Sequence, residues 1–541
     1  MFGVDVVFLI SVHLRKADLP PLQPLQHLQP RGRGVQFGLG ASNWVDTPFL
    51  QATTYERRTP NAERRTPNAE RRTPSAKRLD LLSAICYLSA ISFPVTKLFG
   101  TDGIRGIANE EPLTASSVIK LAQAAAHVLA PAENQVKQKV IVGRDTRASG
   151  DFLEAAFATG LASAGFDVLL AGPIPTPAVA YLAASQEAAF GVVLSASHNP
   201  FRDNGIKFFG PDGYKLPDEL EEAIEKRFYS PANYVSDSVG RIRSFSDATE
   251  QYAAFALSTV PKGLSFKGLK IVLDLANGAA YQTTPLALEH LGAAIEVHSA
   301  EPNGTNINEK CGSTHPEVLR ELVLKSGANI GLAHDGDADR ILLVDESGAV
   351  LDGDDILAIA ANSLVSREEL RSKTVAATIM SNFGLDALLH DLGATLLRTK
   401  VGDRHVVEKM RQQDLNLGGE QSGHIIFRDF TTTGDGLVSA LQIIAIAIQT
   451  NQPLSELRKI LTKFPQELRN IAVRQKLPFE QFPTLQSRLK SAEAFLAGKG
   501  RVVLRYSGTE PKARLLLEGP DAGQLRSLAD DIQGEIQKVL G

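Results

Sequence analysis

The chain has 541 residues, of which 43% are hydrophobic and 22% charged, and a formal net charge of −4. That length exceeds one core, since domains run to about 100–200 residues, and no run of about 20 apolar residues is present to span a bilayer. Two cysteines, Cys86 and Cys311, exclude a disulfide framework and a thiolate metal centre.

Charge is uneven along the chain. Residues 1–94 carry 12 Lys/Arg against 7 Asp/Glu, and the remainder 45 against 54. The body therefore lacks the basic character of a nucleic-acid binder. A cytoplasmic protein with small-molecule partners, and neither nucleic acid nor membrane, is the expectation; any anion it binds must be held by local sites.

In chain order the first feature is "ERRTPNAERRTPNAERRTPSAKR" at residues 56–78. Its period is seven, but Pro60, Pro67 and Pro74 recur in the unit and no apolar seam exists, so it is no coiled coil. Composition marks residues 1–79 as disordered. Residues 1–94 as a whole read as an extension that is either disordered or mis-annotated by an early start codon; the functional alternative is a basic tail for an acidic partner. The apolar patch Leu79–Phe93 lacks the position and cleavage site of an export signal.

From about Lys97, β-rich runs alternate with helical runs. Three segments repeat one plan of strand, polar loop, helix and glycine turn: "KVIVGRDTRASGDFLEAAFATGLASAGFDVLLAGP", "LKIVLDLANGAAYQTTPLALEHLGAAIEVHSAEP" and "TVAATIMSNFGLDALLHDLGATLLRTKVGD". This predicts three related α/β domains with mixed, mostly parallel sheets and a smaller C-terminal α+β domain around a central cleft. The expected bounds are 95–251, 252–353, 354–466 and 467–541. Ligands of open α/β sheets sit at strand carboxyl ends, where the polar loops fall.

Four such loops carry chemistry. In "GVVLSASHNPFRDNGIKFFGPDG", a buried strand runs into Ser195, Ser197, His198 and Asn199. An exposed serine there suits a nucleophile, although the residues alone do not choose between Ser195 and Ser197, and a turn cluster is the bland reading. In "HDGDADRILLVDESGAVLDGDD", Asp335, Asp337 and Asp339 alternate and can converge on a hard cation, Mg²⁺ or Ca²⁺ rather than zinc. In "LGGEQSGHIIF", Glu420, Ser422 and His424 suit a polyol such as a sugar, or an ordinary β-turn. In "RYSGTEPKARLLLEG", Arg505, Ser507, Gly508, Thr509 and Arg514 form a phosphate cradle of N–H, hydroxyl and guanidinium groups, or an ordinary Ser-Gly-Thr turn. One loop from each of four regions points to a site where four domains meet.

The set "FGTDGIRG", "GRDTR", "SASHNPFRDNGIKFF", "DGDADR", "TKVGDR", "GGEQSGH" and "RYSGTEP…R" resembles the α-D-phosphohexomutase family, from roughly Phe99 to Gly541 and in family order. The resemblance implies an isomerase with four domains around a cleft and a phosphoserine, here Ser197. It implies Mg²⁺ held by the Ser197 phosphate with Asp335, Asp337 and Asp339. It implies Lys207 as acid or base, Arg105, Arg144 and Arg340 as assisting cations, and His198 as support of the loop. Sugar contacts would come from Lys400, Gly402, Asp403, Glu420, Ser422 and His424, and phosphate contacts from the Arg505–Arg514 segment, with the fourth domain as a lid.

The implied reaction interconverts glucosamine 6-phosphate and glucosamine 1-phosphate through glucosamine 1,6-bisphosphate, feeding UDP-N-acetylglucosamine synthesis, in a monomer or homodimer. The alternatives are a glucose or mannose phosphate substrate, a phosphatase, or a silent sugar-phosphate binding protein. Ala338 stands where glycine is common in the metal loop, His405 replaces a frequent aromatic, and residues 1–94 are foreign to the family pattern.

Overall fold

The computed structural model describes residues 97–100, 102–129, 138–230, 236, 238–507 and 511–541. The heptad repeats, the Leu79–Phe93 patch, Cys86, Gly508 and Thr509 lie outside the described residues.

Four sheets follow one another along the chain. The first holds β1 (Ile104–Ile107), β2 (Lys139–Arg144), β3 (Asp167–Pro173), β4 (Phe190–Leu194), β5 (Asp203–Phe209) and β6 (Ile242–Ser244), in the order β1-β5-β4-β2-β3-β6. Its helices are α1 (Ala115–Leu129), α2 (Ser149–Ser163), α3 (Thr176–Ser185) and α4 (Asp218–Phe228). β4 is buried at every position, as a strand covered by helices on both faces must be. It pairs in parallel with β2 and antiparallel with β5.

The second sheet holds β7 (Lys270–Asp274), β8 (Ala294–His298), β9 (Ile330–His334), β10 (Ile341–Asp345) and β11 (Val350–Leu351), in the order β11-β10-β9-β7-β8. β9 and β10 form a hairpin in which His334 faces Ile341, so residues 335–340 are its connecting loop. The third holds β12 (Thr374–Thr378), β13 (Thr395–Thr399), β14 (Leu417–Gly419) and β15 (Ile425–Phe427). Its helices α5 (Gly353–Ser366) and α6 (Gly436–Thr450) are buried along most of their length. Asp352 and Asp355 make a reciprocal capping box that starts α5. The fourth sheet is antiparallel, with β16 (Gln466–Ala472), β17 (Arg501–Tyr506) and β18 (Lys512–Glu518) ordered β16-β18-β17. β16 exposes alternate residues, the mark of a half-covered antiparallel strand.

Apolar burial divides these domains unequally. One continuous cluster runs from Ile141 and Val193 through Leu273 and Leu343 to Leu389 and Ile444, so the first three domains share a core, beside which the first domain has a second cluster of its own from Leu98 to Phe228. The fourth has its own, from Ile471 to Leu540. A buried polar tie reinforces the shared core: the Tyr252 hydroxyl lies 2.8 and 2.9 Å from the two Asp435 oxygens. Among the described residues no single helix is long and apolar enough to cross a membrane.

Candidate active site

In the stretch after β4 the two serines have different surroundings. Ser195 is a support: its Oγ donates to Asp145 Oδ2 at 2.6 Å and accepts the Ser197 N–H at 2.9 Å. Ser197 has a left-handed backbone, φ 53°, and is 1% exposed. A non-glycine residue in that region costs about 1–3 kcal/mol and persists only where its surroundings impose it. Here Arg147 imposes it. Its fully buried guanidinium pairs with Asp145 at 2.8 Å. It also donates to the carbonyls of Ser197 at 2.8 Å, Asn199 at 2.8 Å and Asp203 at 3.0 Å, and to that of Pro200. Across the domain boundary, Asn308 Nδ2 donates to the Ser197 carbonyl at 2.9 Å.

Ser197 Oγ donates to Asp335 Oδ2 at 2.6 Å and lies 3.3 Å from His198 Nδ1. A Cβ on Gly336 would stand 2.6 Å from the Ser197 carbonyl, so only glycine lets the two loops meet this closely. Burial, then the charges of Arg340 and Arg105, lower His198 to about 4. Its imidazole is therefore neutral near pH 7, and Nδ1 accepts from Arg340 Nη1 at 3.2 Å.

Asp335, Asp337 and Asp339 each place an oxygen within 4.8 Å of the others, all buried. Asp337 Oδ1 and Asp339 Oδ1 are buried with no hydrogen-bond partner. Burial, then Asp339 and Asp337, push Asp335 well above the usual carboxylate range. Burial works the same way on Asp339, but His424 and Lys207 outweigh it and hold that carboxyl low. Three converging carboxylates with idle oxygens fit a hard divalent cation. Thr176 fixes the loop, its N–H to the Asp337 carbonyl at 2.9 Å and its Oγ1 to Oδ2 at 2.8 Å.

Lys207 faces Val193 across the β4–β5 ladder, which aims it at the same strand end. Its Nζ lies 2.9 Å from Asp337, 3.1 Å from Asp102 and 3.7 Å from Asp339. Burial disfavours its charge, yet Asp102, Asp337 and Asp339 outweigh burial and raise it well above its ordinary value. It is an ammonium in this arrangement. Arg105 pairs with Asp102 at 3.0 Å.

The third-domain loops divide. Lys400 and Ser422 are exposed and Glu420 half-buried, where Glu420 Oε1 accepts the Gly402 N–H at 3.1 Å. Asp403 and His424 lie in the cluster but beneath its surface. Lys215 and the Arg404 N–H occupy the Asp403 oxygens, and His424 accepts the Gly434 N–H at 3.0 Å and faces Asp339 at 3.5 Å. A sugar would have to displace those bonds to reach either side chain. Arg144 also departs from expectation: it pairs with Asp151 at 2.7 Å and Glu154 at 3.5 Å in its own domain. Arg147, three residues on, braces the serine instead. The signal was the charged pair at alternate positions, Asp145 and Arg147, just past a buried strand. Nothing local in the sequence marks Lys215 or Asn308.

In the fourth domain, Arg505 and Arg514 are directly opposed across β17 and β18, with Asn470 beside Arg514. Burial and then Arg514 lower the Arg505 pKa. Two guanidiniums side by side make a site that gains from an anion. Ser507 starts the hairpin turn, its N–H to the Lys512 carbonyl at 2.9 Å. The contacts around Ser197 join loops of the first three domains, whereas the hairpin meets the third domain at its far end, through Arg501 and Glu518.

Comparison with known proteins matches the chain domain by domain. Phosphoglucomutase/phosphomannomutase α/β/α domains I, II and III match residues 96–234, 247–348 and 352–464, and the C-terminal domain of that family matches 450–535. The chain belongs to this phosphohexomutase family. It is 47% identical over 449 residues to a phosphoglucosamine mutase of Syntrophotalea carbinolica, covering 82% of this chain and 98% of that one. A phosphoglucosamine mutase of Myxococcus xanthus is 48% identical over 448 residues, with 82% and 97% covered. Among solved structures, a phosphoglucomutase/phosphomannomutase family protein from Burkholderia thailandensis shares the fold with TM-score 0.69 at 24% identity, covering 82% and 97% of the two chains. An Aspergillus fumigatus N-acetylphosphoglucosamine mutase, solved with GlcNAc-6P and magnesium, has TM-score 0.60 at 18% identity over 85% and 99%.

Proposed function

We propose that the chain interconverts glucosamine 6-phosphate and glucosamine 1-phosphate through a phosphorylated Ser197 and a bound glucosamine 1,6-bisphosphate. The observation that carries this is Ser197 Oγ, held in a left-handed turn 2.6 Å from a three-carboxylate cluster, in a chain whose curated relatives are phosphoglucosamine mutases. Asp335, Asp337 and Asp339 would hold Mg²⁺, with a Ser197 phosphate oxygen as a further ligand. When bound, that ion supplies neutralising charge for the transferring phosphoryl group.

The remaining chemistry belongs to the chain's own groups. In the first transfer the Ser197 Oγ–P bond breaks and the bond to the sugar's free hydroxyl oxygen forms; in the second the other phosphate returns to Ser197. Each transfer releases one hydroxyl proton and returns one to the departing oxygen. Lys207, as ammonium, protonates the departing oxygen, and as amine it takes the attacking hydroxyl's proton. Arg340 and Arg105 add positive charge beside the transferring group. Glu420 and Ser422 engage sugar hydroxyls, and Arg505 and Arg514 hold the distal phosphate in either orientation.

The test is product analysis. Protein with Mg²⁺, a trace of sugar 1,6-bisphosphate and glucosamine 6-phosphate should yield glucosamine 1-phosphate in preference to turnover of glucose or mannose phosphates. Ser197→Ala should lose at least about 10³-fold in rate, as a missing covalent nucleophile does. Better turnover of glucose or mannose phosphates would overturn the substrate, release of free phosphate would indicate a phosphatase, and an active Ser197→Ala would overturn the nucleophile.

A further inference from the structure

Six ionisable side chains from three domains close a ring around the edge of the carboxylate cluster. Lys207 lies 3.7 Å from Asp339 and 3.1 Å from Asp102. Lys215 bonds both Asp102 and Asp403. His424 lies 3.6 Å from Asp403 and 3.5 Å from Asp339, which returns to the start. Acidic and basic groups alternate throughout. Lys207 and His424 touch the carboxylate cluster; among the described residues Lys215 forms ion pairs with Asp102 and Asp403.

Lys215 is not a surface lysine that happens to be nearby. Its side chain is 11% exposed. It ends a tight turn after β5, in which Gly210 N–H donates to the Tyr214 carbonyl at 2.7 Å and Gly213 has φ 75°. The third domain grips that turn: Thr432 Oγ1 donates to the Gly213 carbonyl at 2.6 Å, and the Arg411 guanidinium sits 4.1 Å from the Tyr214 ring centre. The ammonium is thus delivered to a fixed point between a first-domain and a third-domain carboxylate. Without it, Asp403, 8% exposed, would keep the Arg404 N–H at 2.7 Å and His424 at 3.6 Å but lose its ammonium partner, and a buried charge so weakened is relieved by moving or neutralising it.

We propose that Lys215 is a positioning residue for phosphoryl transfer, clamping the loop that carries Asp102 to the loop that carries Gly402 and Asp403. The clamp sets the distance between Lys207, beside the reacting phosphate, and Glu420, which accepts the Gly402 N–H at 3.1 Å. One sugar bisphosphate must satisfy both ends in two orientations, so this distance bears on turnover more than on affinity. The inference rests on the mutase reading of the site.

Lys215→Met keeps the length of the side chain and removes the charge. It should lower kcat by about 10²-fold, the cost of a misplacement near 1 Å, while KM and the Mg²⁺ concentration for half-activation change less than about threefold. Lys215→Arg should restore kcat to within about tenfold of wild type. Asp403→Asn added to Lys215→Met should cost nothing further, since two residues acting through one contact are non-additive. Amide hydrogen exchange at Gly402 and Arg404 should rise at least about tenfold in Lys215→Met, as a loop freed of its tie opens locally.

Unchanged exchange, additive losses, or a kcat loss no larger than the loss of folded protein would overturn the positioning role while an active wild type preserves the mutase reading. A wild type inert toward hexose phosphates overturns that reading and this role with it.

Discussion

The serine loop and the Arg505–Arg514 hairpin are expected to hold the two ends of one substrate, yet they are built differently. Ser197 sits in a loop tied by Arg147 and Ser195 from its own domain and by Asn308 and Asp335 from the second. The hairpin is tied by its own strand ladder, in a domain with a separate core. Chemistry at one end needs fixed geometry, whereas the other end must release and regrip a phosphate, and a domain sharing no core with its neighbours can move at low cost. Polar contacts cross the joint: Arg501 donates to the Ser381 carbonyl at 2.6 Å, and Glu518 accepts the Phe383 N–H at 3.1 Å.

The largest effect should come from breaking the brace on the fixed side. Arg147→Met leaves Asp145 buried without its charged partner and takes a guanidinium donor from four carbonyls, of which those of Ser197 and Asn199 keep Asn308, and should cost about 3–5 kcal/mol in chemical denaturation together with most of the activity. A milder loss confined to Tm, with kcat intact, would show that the serine holds its conformation unaided.

On the other side, Leu515→Ala in the fourth-domain core should cost about 2–5 kcal/mol. Because that core is separate, the loss should appear as an early transition of the fourth domain, with the Tyr252–Asp435 body melting as in wild type. A single cooperative transition shifted as a whole would erase the contrast.

Acid sharpens the comparison next. Burial drops His334, beside the metal loop, to about 4 from its ordinary 6.5. Above pH 6.5 the folded and unfolded chains are both neutral at this residue and stability is complete. As pH falls from 6.5 to 4 the unfolded chain takes a proton that the folded one refuses, so stability declines by up to about 3 kcal/mol. Unfolding measured from pH 7 to 4.5 should show this decline in the three-domain body, and His334→Gln should remove the His334 share of it while that of His198, also lowered to about 4, remains.

The smallest expected effect is Ala338→Gly. Ala338 has φ 57° in the metal loop, where an L side chain is strained. Glycine there should raise stability by up to about 1 kcal/mol, read as Tm with Mg²⁺ absent.

Much of the site was legible because its loops follow strands whose apolar runs announce burial, and because Asp335, Asp337 and Asp339 lie in one short loop whose alternation is visible in the letters. The role of Arg147 was not legible, because the sequence shows two arginines near a strand end, Arg144 and Arg147, without showing which one turns inward. Asp403 and His424 read as sugar groups because their polarity is local information, whereas their burial under Lys215 and Gly434 is not.

The amino-acid order by itself determined the element types, the four successive domains and the chemical character of each loop, since those depend on periodicity and on neighbours within a few residues. Tertiary structure alone decided that three domains share one core while the fourth stands apart, that Ser197 rather than Ser195 faces the carboxylates, and that Lys215 joins Asp102 to Asp403. Those pairings span 138, 113 and 188 residues for Ser197–Asp335, Lys215–Asp102 and Lys215–Asp403. They exist only because packing three sheets on a common core brings their loop ends to one point, which no local pattern encodes.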